Sequence, residues 1–176
     1  MKTLKLYITE ALHVNRNTKI IKHNYHPKDR IELEEIVEKL IKERGIDADL
    51  NDIDTSEITD MEDLFWGSAF NGDISEWDVS NVKSMRAMFY LSDFNGDISE
   101  WDVSNVKDMY SMFYKSNFVN DISKWNVSNV EDMRSMFYKS QFNSDISGWD
   151  VSNVKYTRSM FDSCPLEKNP PKWYKK

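Results

Sequence analysis

Apolar and polar residues alternate along this chain in a pattern that repeats every 24 positions. Four segments, which begin at Phe70, Phe94, Phe118 and Phe142, share the pattern FNxDISxWDVSNVxxMxxMF with only a few substitutions and no gaps. A divergent copy, IDADLNDIDTSEITDMEDLFWGSA, precedes them at residues 46–69 in the same register. The chain therefore contains five tandem repeats, numbered 1 to 5 from the N-terminus, and this period is typical of proteins whose repeats stack.

Each repeat combines two hydrophobic patterns. In SNVxxMxxMF the apolar residues lie at i, i+3, i+6 and i+7, which places them on one face of a short helix or 3₁₀ segment. The other half, FNxDISxWDV, is rich in β-formers and predicts a short strand around residues 74–77. In each of the later repeats a serine precedes the helical pattern as a candidate N-cap; these serines are Ser80, Ser104, Ser128 and Ser152. Glu131 lies three residues after Ser128 and completes a capping box with it. We expect an α/β repeat solenoid of leucine-rich-repeat-like coils, each a short strand plus a short helix.

The flanking sequences predict caps at both ends of the stack. DRIELEEIVEKLIKERG has Asp29 as N-cap, an apolar stripe and Gly45 as a stop signal, so it predicts an α-helix that covers the first repeat. After the repeats, Leu166 and Trp173 enter the Phe and Trp positions of a sixth repeat that prolines interrupt. In the N-terminal arm, LKLYI fits both an edge strand and a helix. We divide the chain into an arm and capping helix (1–45), five repeats (46–165) and an aborted repeat that forms the C-terminal cap (166–176).

The repeats also explain the composition. Trp and Met are abundant, at six and nine of 176 residues, because each later repeat places one Trp and up to two Met at apolar positions. Cys164 occupies a position that is serine in repeats 1 to 4, which indicates a small packed residue and not a nucleophile. The methionines that we expect to fill the core are Met85, Met88, Met109, Met112, Met133, Met136 and Met160.

The charge is unevenly distributed along the chain. The net charge of −7 is the sum of +3 in residues 1–45, −13 in residues 46–165 and +3 in residues 166–176. An acidic body argues against nucleic acid as a partner, because phosphate binding requires clustered Lys and Arg. We recognise no signal peptide, no anchor and no apolar run of the roughly 18 residues that a membrane span needs. We therefore expect a cytoplasmic or virion-associated protein without membrane insertion.

A recurring aspartate is the main candidate for metal binding. The carboxylates would form a row about 5 Å apart, and calcium bound between coils would offset their repulsion. The candidate ligands are Asp73, Asp97, Asp121 and Asp145. In the alternative, each carboxylate accepts backbone N–H bonds at a turn or faces water. We expect this alternative, and no cofactor, because no known calcium motif is present.

Catalysis has little support in the sequence. The nucleophile elbow, the phosphate loop and the HExxH zinc motif are absent. His23 and His26 are three residues apart and could hold a metal only if carboxylates joined them. We expect a protein that is not an enzyme.

Residues next to the core positions define an exposed flank. Trp66, Tyr90, Tyr114 and Tyr138 each follow an apolar Phe and would stack as an aromatic stripe. A second row runs nearby and consists of Arg86, Tyr110, Arg134 and Arg158. Tyr, Trp and Arg are concentrated at protein interfaces, so we predict that this flank binds a protein partner or neighbouring subunits. In the alternative, these side chains only shield the repeats.

The repeat FNxDISxWDVSNVxxMxxMF resembles that of the BspA-type leucine-rich-repeat surface proteins of bacteria, mycoplasmas and some protists. The resemblance covers residues 46–173 and implies a leucine-rich-repeat-like solenoid with an attachment or protein-binding role. The segment ITEALHVNRNTKI resembles the N-termini of proteins from tailed phages of gut bacteria, which implies a structural component of a larger assembly such as a virion. Carbohydrate adhesion through the aromatic stripe is a third function to consider.

Overall fold

The computed structural model describes residues 22–175. In this range the regular elements are helix α1 (Arg30–Arg44) and a 3₁₀ helix (Pro165–Glu167). The remaining backbone consists of turns and isolated parallel bridges, most of which join residues 24 positions apart, such as Asp108 with Asp132. The predicted α/β repeat solenoid, with a strand and a helix in each leucine-rich-repeat-like coil, is therefore wrong. The repeats stack, but each is built from turns. The segments LKLYI and ITEALHVNRNTKI lie outside the described residues.

Side-chain oxygens fix the corners of each repeat. In repeat 3, the Asp97 carboxylate accepts a hydrogen bond from the Ser99 N–H at 2.9 Å, and Asp102 accepts one from the Ser104 N–H at 3.0 Å. The same bonds recur in repeats 2 and 5. Such turns compete with strand and helix formation, which explains why residues 74–77 form no strand. The serines predicted as helix N-caps are instead turn residues: Ser80, Ser104, Ser128 and Ser152.

The Met–Phe half of each repeat, defined as residues 84–91 in repeat 2 and their counterparts, alternates between two sets of hydrogen bonds. In repeat 2, the N–H groups of Met85 and Ala87 donate to carbonyl groups of repeat 3 at 2.9 and 2.8 Å. The N–H groups of Met88 and Tyr90 donate instead to the carbonyl groups three residues earlier, at 3.2 and 3.0 Å. A helix would direct all of these donors to the residue four positions back. The apolar spacing i, i+3, i+6 and i+7 fits consecutive turns equally well, so the helix that it predicts does not form.

This alternation requires positive φ at two positions of each repeat, four residues apart. In repeat 1 these are Asp63, with φ of 60°, and Gly67, with φ of 64°. The equivalent non-glycine residues have φ between 49° and 60° and are Ala87, Leu91, Ser111, Lys115, Ser135, Lys139, Ser159 and Ser163. Left-handed residues end a helix, so each repeat changes direction where the sequence pattern predicted continuity.

Ladders of identical side chains form the core. The rings of Phe113 and its counterparts Phe89 and Phe137 stack with centroids 5.5 and 5.7 Å apart. The five tryptophans at the motif position each donate to a carbonyl of a preceding repeat, as when the Trp125 Nε1 donates to the Ile98 carbonyl at 3.0 Å. The seven methionines predicted as core residues are fully buried. Since every apolar position has the same period, neighbouring repeats form both walls of the core.

Helix α1 packs on repeat 1. The Asp29 carboxylate accepts from the N–H groups of Ile31 and Glu32 at 2.9 and 3.0 Å, and Gly45, with φ of 95°, ends the helix. The side chains that α1 contributes to the common core are Leu33, Val37 and Leu40. No helix in residues 22–175 is long and apolar enough to cross a membrane.

The tail continues only one half of a sixth repeat. The Trp173 Nε1 donates to the Ile146 carbonyl at 3.1 Å, as the tryptophans of the complete repeats do. The Tyr174 ring meets Phe161 edge-on, with centroids 4.8 Å apart. The tail therefore covers the end of the aromatic core.

Candidate interaction surface on the flank of the repeats

Four aromatic side chains form a ladder along the outside of the Met–Phe halves. This aromatic ladder consists of Trp66, Tyr90, Tyr114 and Tyr138. The rings of Tyr90 and Tyr114 stack with centroids 4.4 Å apart, those of Tyr114 and Tyr138 stack at 4.8 Å, and Trp66 meets Tyr90 edge-on at 5.2 Å. The tyrosines are half-buried and Trp66 is 58% exposed. The structure thus brings together all four residues of the predicted stripe.

Two lysines extend this ladder. The Lys115 ammonium lies 5.6 Å from the centroid of the Tyr114 ring, and the Lys139 ammonium lies 5.3 Å from that of Tyr138. Such cation–π contacts are weak at exposed sites but orient the lysine over the ring. Neither lysine was among the residues predicted for this surface, although the recurring FYK in repeats 3 and 4 was a signal for both.

A second row, the cation–aromatic ladder, consists of Arg86, Tyr110, Arg134 and Tyr156. The guanidinium groups of Arg86 and Arg134 lie 4.4 and 5.2 Å from the Tyr110 ring centroid, and Arg134 lies 5.2 Å from that of Tyr156. Tyr156, which is 53% exposed, was missed by the sequence analysis because the other repeats have Asp or Ser at its position. Arg158 is exposed at the C-terminal end of this row.

Acidic neighbours balance the charge of the arginines. The Arg86 Nε lies 2.8 Å from a Glu62 carboxylate oxygen, and the Arg134 Nε donates to Asp132 at 2.9 Å. Burial raises the pKa of the Glu62 carboxyl, and Arg86 opposes this shift. Burial also raises the pKa of the Tyr90 hydroxyl, with a contribution from Tyr114. Surface ion pairs of this kind contribute little binding energy, so the rings are the distinctive feature of the flank.

The aspartates considered as calcium ligands are the acceptors of turns. Each accepts the N–H of the serine two residues later, at 2.8–2.9 Å; they are Asp73, Asp97, Asp121 and Asp145. These bonds to the turn serines lower the pKa of Asp97, Asp121 and Asp145, with the backbone N–H as the largest cause. Within residues 22–175, no three His, Cys, Asp or Glu side chains are grouped so that they could hold a metal ion.

The other candidates for chemistry lie at the two ends of the stack. The Nδ1 atoms of His23 and His26 lie 3.7 and 3.2 Å from one Asp54 carboxylate oxygen. Cys164 is buried in repeat 5, and burial raises the pKa of its thiol. A protonated, buried thiol is a poor nucleophile, in agreement with a packing role.

A family model matches most of the chain. It is described as "Mycoplasma protein of unknown function, DUF285", and it matches residues 32–139 and 115–175. These two overlapping matches include most of α1, all five repeats and the tail. No curated protein and no solved structure matches the chain. The chain therefore belongs to the DUF285 family.

Proposed function

We propose that this protein is a non-enzymatic binding module that attaches to a protein partner through the flank formed by the aromatic ladder and the cation–aromatic ladder. The observation that carries the proposal is the continuous row of partly exposed rings from Trp66 to Tyr138. Tyr, Trp and Arg dominate the energetic centres of protein interfaces because they bury a large area with few rotatable bonds.

The side chains of the flank are preorganised for binding. Tyr90 and Tyr114 each contact a ring on both sides, and Tyr138 contacts Tyr114. Their backbone is bonded to the neighbouring repeat, as when the Lys115 N–H donates to the Tyr138 carbonyl at 2.8 Å. Binding therefore immobilises few side chains, which lowers the entropic cost of association.

The stacking favours a protein partner over a carbohydrate. Sugars pack against the open face of an aromatic ring, but the faces of Tyr90, Tyr114 and Tyr138 contact one another at 4.4 and 4.8 Å. The ladder presents ring edges and hydroxyl groups instead, which suit the mixed apolar and polar contacts of a protein interface.

The repeat sequence supports an attachment role. The motif FNxDISxWDVSNVxxMxxMF resembles that of the BspA-type surface proteins, and we propose that this member of the DUF285 family is BspA-like in its use of a repeated surface for binding. The turn-built repeat gives such a surface a regular spacing, because repeats 1 to 4 each contribute one ring to the ladder.

The test compares capture by three forms of the immobilised full chain from lysate of the source cells. The first is the native chain, and the second carries Tyr90→Ala, Tyr114→Ala and Tyr138→Ala. We expect at least one captured protein to be reduced tenfold or more with the second form, since a single interface hot spot is worth about 2 kcal/mol or more. The captured protein is then purified, and its affinity for each form is measured by calorimetry.

The third form is a matched control on another face of the repeats. It carries Glu100→Gln and Lys124→Gln, which remove an exposed ion pair 2.9 Å long without touching the flank. Thermal melting verifies that all three forms are folded. The proposal fails if the purified partner binds the triple alanine variant as tightly as the native chain, or if the control variant loses binding to the same extent.

A further inference from the structure

Repeat 5 ends the stack with backbone donors that have no acceptor among the described residues. In repeat 4, the N–H groups of Met133, Ser135 and Phe137 donate to carbonyl groups of repeat 5 at 2.8, 3.0 and 3.0 Å. Their counterparts in repeat 5 are Thr157, Ser159 and Phe161. None of these three N–H groups has an acceptor within residues 22–175. The edge from Thr157 to Phe161 therefore presents donors at every second residue.

The side chain of Tyr156 leaves a further donor open. The equivalent residue of repeat 4 is Asp132, whose carboxylate accepts from the Arg134 N–H at 2.9 Å, and Asp108 has the same role in repeat 3. The phenol of Tyr156 does not accept from the Arg158 N–H, which has no acceptor in the described part of the chain. The N–H groups of three consecutive residues, 157–159, are thus available to a ligand.

The carbonyl groups of this edge are already used. Those of Thr157, Ser159 and Phe161 accept bonds within their own turns, at 3.1, 3.4 and 3.2 Å. The carbonyl group of Lys155 flanks the donors, and in the preceding repeats its counterparts accept from the next repeat. The edges of two copies of this chain cannot pair symmetrically, because the free N–H groups of one copy would face those of the other. The complementary ligand is an extended chain that offers carbonyl oxygens and one N–H.

The side chains around these donors are mainly basic. They line a cavity of about 600 Å³ that contains Lys155, Arg158, Lys175, Tyr174 and one carboxylate, that of Asp162. Arg134 also lines the cavity, but it donates to Asp132 at 2.9 Å. Lys155 pairs with Glu131 at 2.6 Å, which leaves Arg158 and Lys175 as the cations for a ligand. The tail adds to this field, since residues 166–176 have a net charge of +3. Acidic ligands are therefore favoured.

We propose that the C-terminal edge of repeat 5 binds an extended acidic segment of a partner protein. The backbone of the segment takes the place of a sixth repeat, with its carbonyl oxygens accepting from Thr157 and Ser159, which line the cavity. Its carboxylates pair with Arg158 and Lys175. This is the addition of a chain to an open backbone edge, with charge selecting the sequence. The proposal requires none of the residues of the aromatic ladder, although Tyr156 also belongs to the cation–aromatic ladder of the flank.

The probe is a fluorescein-labelled peptide of about eight residues with alternating threonine and glutamate, blocked at both ends. Binding to the full chain is measured by fluorescence anisotropy, and the contacted amides are identified by ¹⁵N chemical-shift changes. We expect the peptide to shift the amide resonances of residues 157–161 and the same peptide with glutamine in place of glutamate to bind at least tenfold more weakly.

The most informative variant is Tyr156→Asp. It restores the residue found at this position in repeats 1, 3 and 4, so it is compatible with the fold. It also gives the Arg158 N–H an internal acceptor and adds a negative charge to the cavity. We expect it to weaken peptide binding at least tenfold, and Arg158→Gln to weaken it severalfold. Lys107→Gln removes one positive charge elsewhere on the stack and should leave the affinity unchanged.

Several results would overturn the proposal. One is the absence of binding at millimolar peptide; another is binding that Tyr156→Asp and Lys107→Gln change equally, which would indicate general charge attraction. A last experiment measures the self-association of the native chain without peptide by sedimentation. Self-association that Tyr156→Asp abolishes would assign the edge to a second copy of this chain and would refute the acidic segment as its occupant.

Discussion

Comparing glycine with alanine at position 115 distinguishes a turn-built repeat from a helical one by which of the two variants is the more stable. Lys115 has φ of 53°. A residue with a side chain costs about 1–2 kcal/mol in this left-handed region, whereas glycine adopts it freely. Repeat 1 already has a glycine at the equivalent position, Gly67, with φ of 64°. In a helix the same substitution would destabilise the protein.

The net gain is smaller than the strain that is removed. Glycine loses more conformational entropy on folding, at a cost of about 0.4–1 kcal/mol. The Lys115 ammonium also contacts the Tyr114 ring, a contact worth about 0.5–1 kcal/mol. The two effects separate if Lys115→Ala and Lys115→Gly are both made. We expect the alanine variant to be less stable than the native chain by up to about 1 kcal/mol. We expect the glycine variant to be about 0.5–1 kcal/mol more stable than the alanine variant.

Urea denaturation followed by tryptophan fluorescence measures both differences. The matched control is the same pair of substitutions at Glu35, an exposed residue within α1. There, glycine should be about 1 kcal/mol less stable than alanine. If the Lys115→Gly variant is also about 1 kcal/mol less stable than Lys115→Ala, the left-handed turn at this position is refuted.

Two further predictions concern the core and the turn carboxylates. Phe113→Ala, at the fully buried centre of the Phe ladder, should lower the free energy of unfolding in urea by about 3–5 kcal/mol, and a loss under about 1 kcal/mol would contradict the packing. The hydroxyl and N–H of Ser104 lower the pKa of the Asp102 carboxyl in the folded protein. The stabilisation that this carboxylate provides is therefore complete above its unfolded-state pKa of about 3.9, and it is lost as the pH falls through the lower folded-state pKa. The Tm should therefore fall below about pH 4, and should fall less for Asp102→Asn, whose amide oxygen can still accept as that of Asn126 does. Equal acid sensitivity of the two proteins would argue against this role.

The sequence contained enough information for the register of the repeats and for the identity of the core. A strict period of 24 residues aligns side chains of one kind, so the burial of Phe113 and Trp125 follows from repetition alone. Helix α1 was also predictable, because Asp29 and Gly45 are local signals for its start and end. The aromatic ladder followed from the same logic, since a residue next to a buried Phe at a turn faces outward.

The backbone of the repeat could not be deduced in the same way. Spacings of three and four apolar residues occur in helices and in consecutive turns, and the difference lies in where the N–H groups find acceptors. Ala87 donates to the next repeat, an interaction that no local pattern encodes. The Asp–x–Ser sequences were the usable signal, because aspartate and serine side chains compete for backbone donors. Tyr156 escaped notice because it departs from the repeat.

The two ends of the stack differ in chemistry because the hydrogen bonds between Met–Phe halves run in one direction. Each of these halves donates to the next, so the first presents carbonyl groups and the last presents N–H groups. At the first end, α1 occupies the space of a preceding repeat, and Arg30 donates to the Glu62 carbonyl at 3.3 Å. At the last end, the tail covers the aromatic core, but no residue in the range 22–175 accepts from the N–H groups of Thr157, Ser159 or Phe161. In this range the stack is therefore capped at its first end and has free donors at its last, and the basic residues beside these donors favour an acidic chain as their ligand.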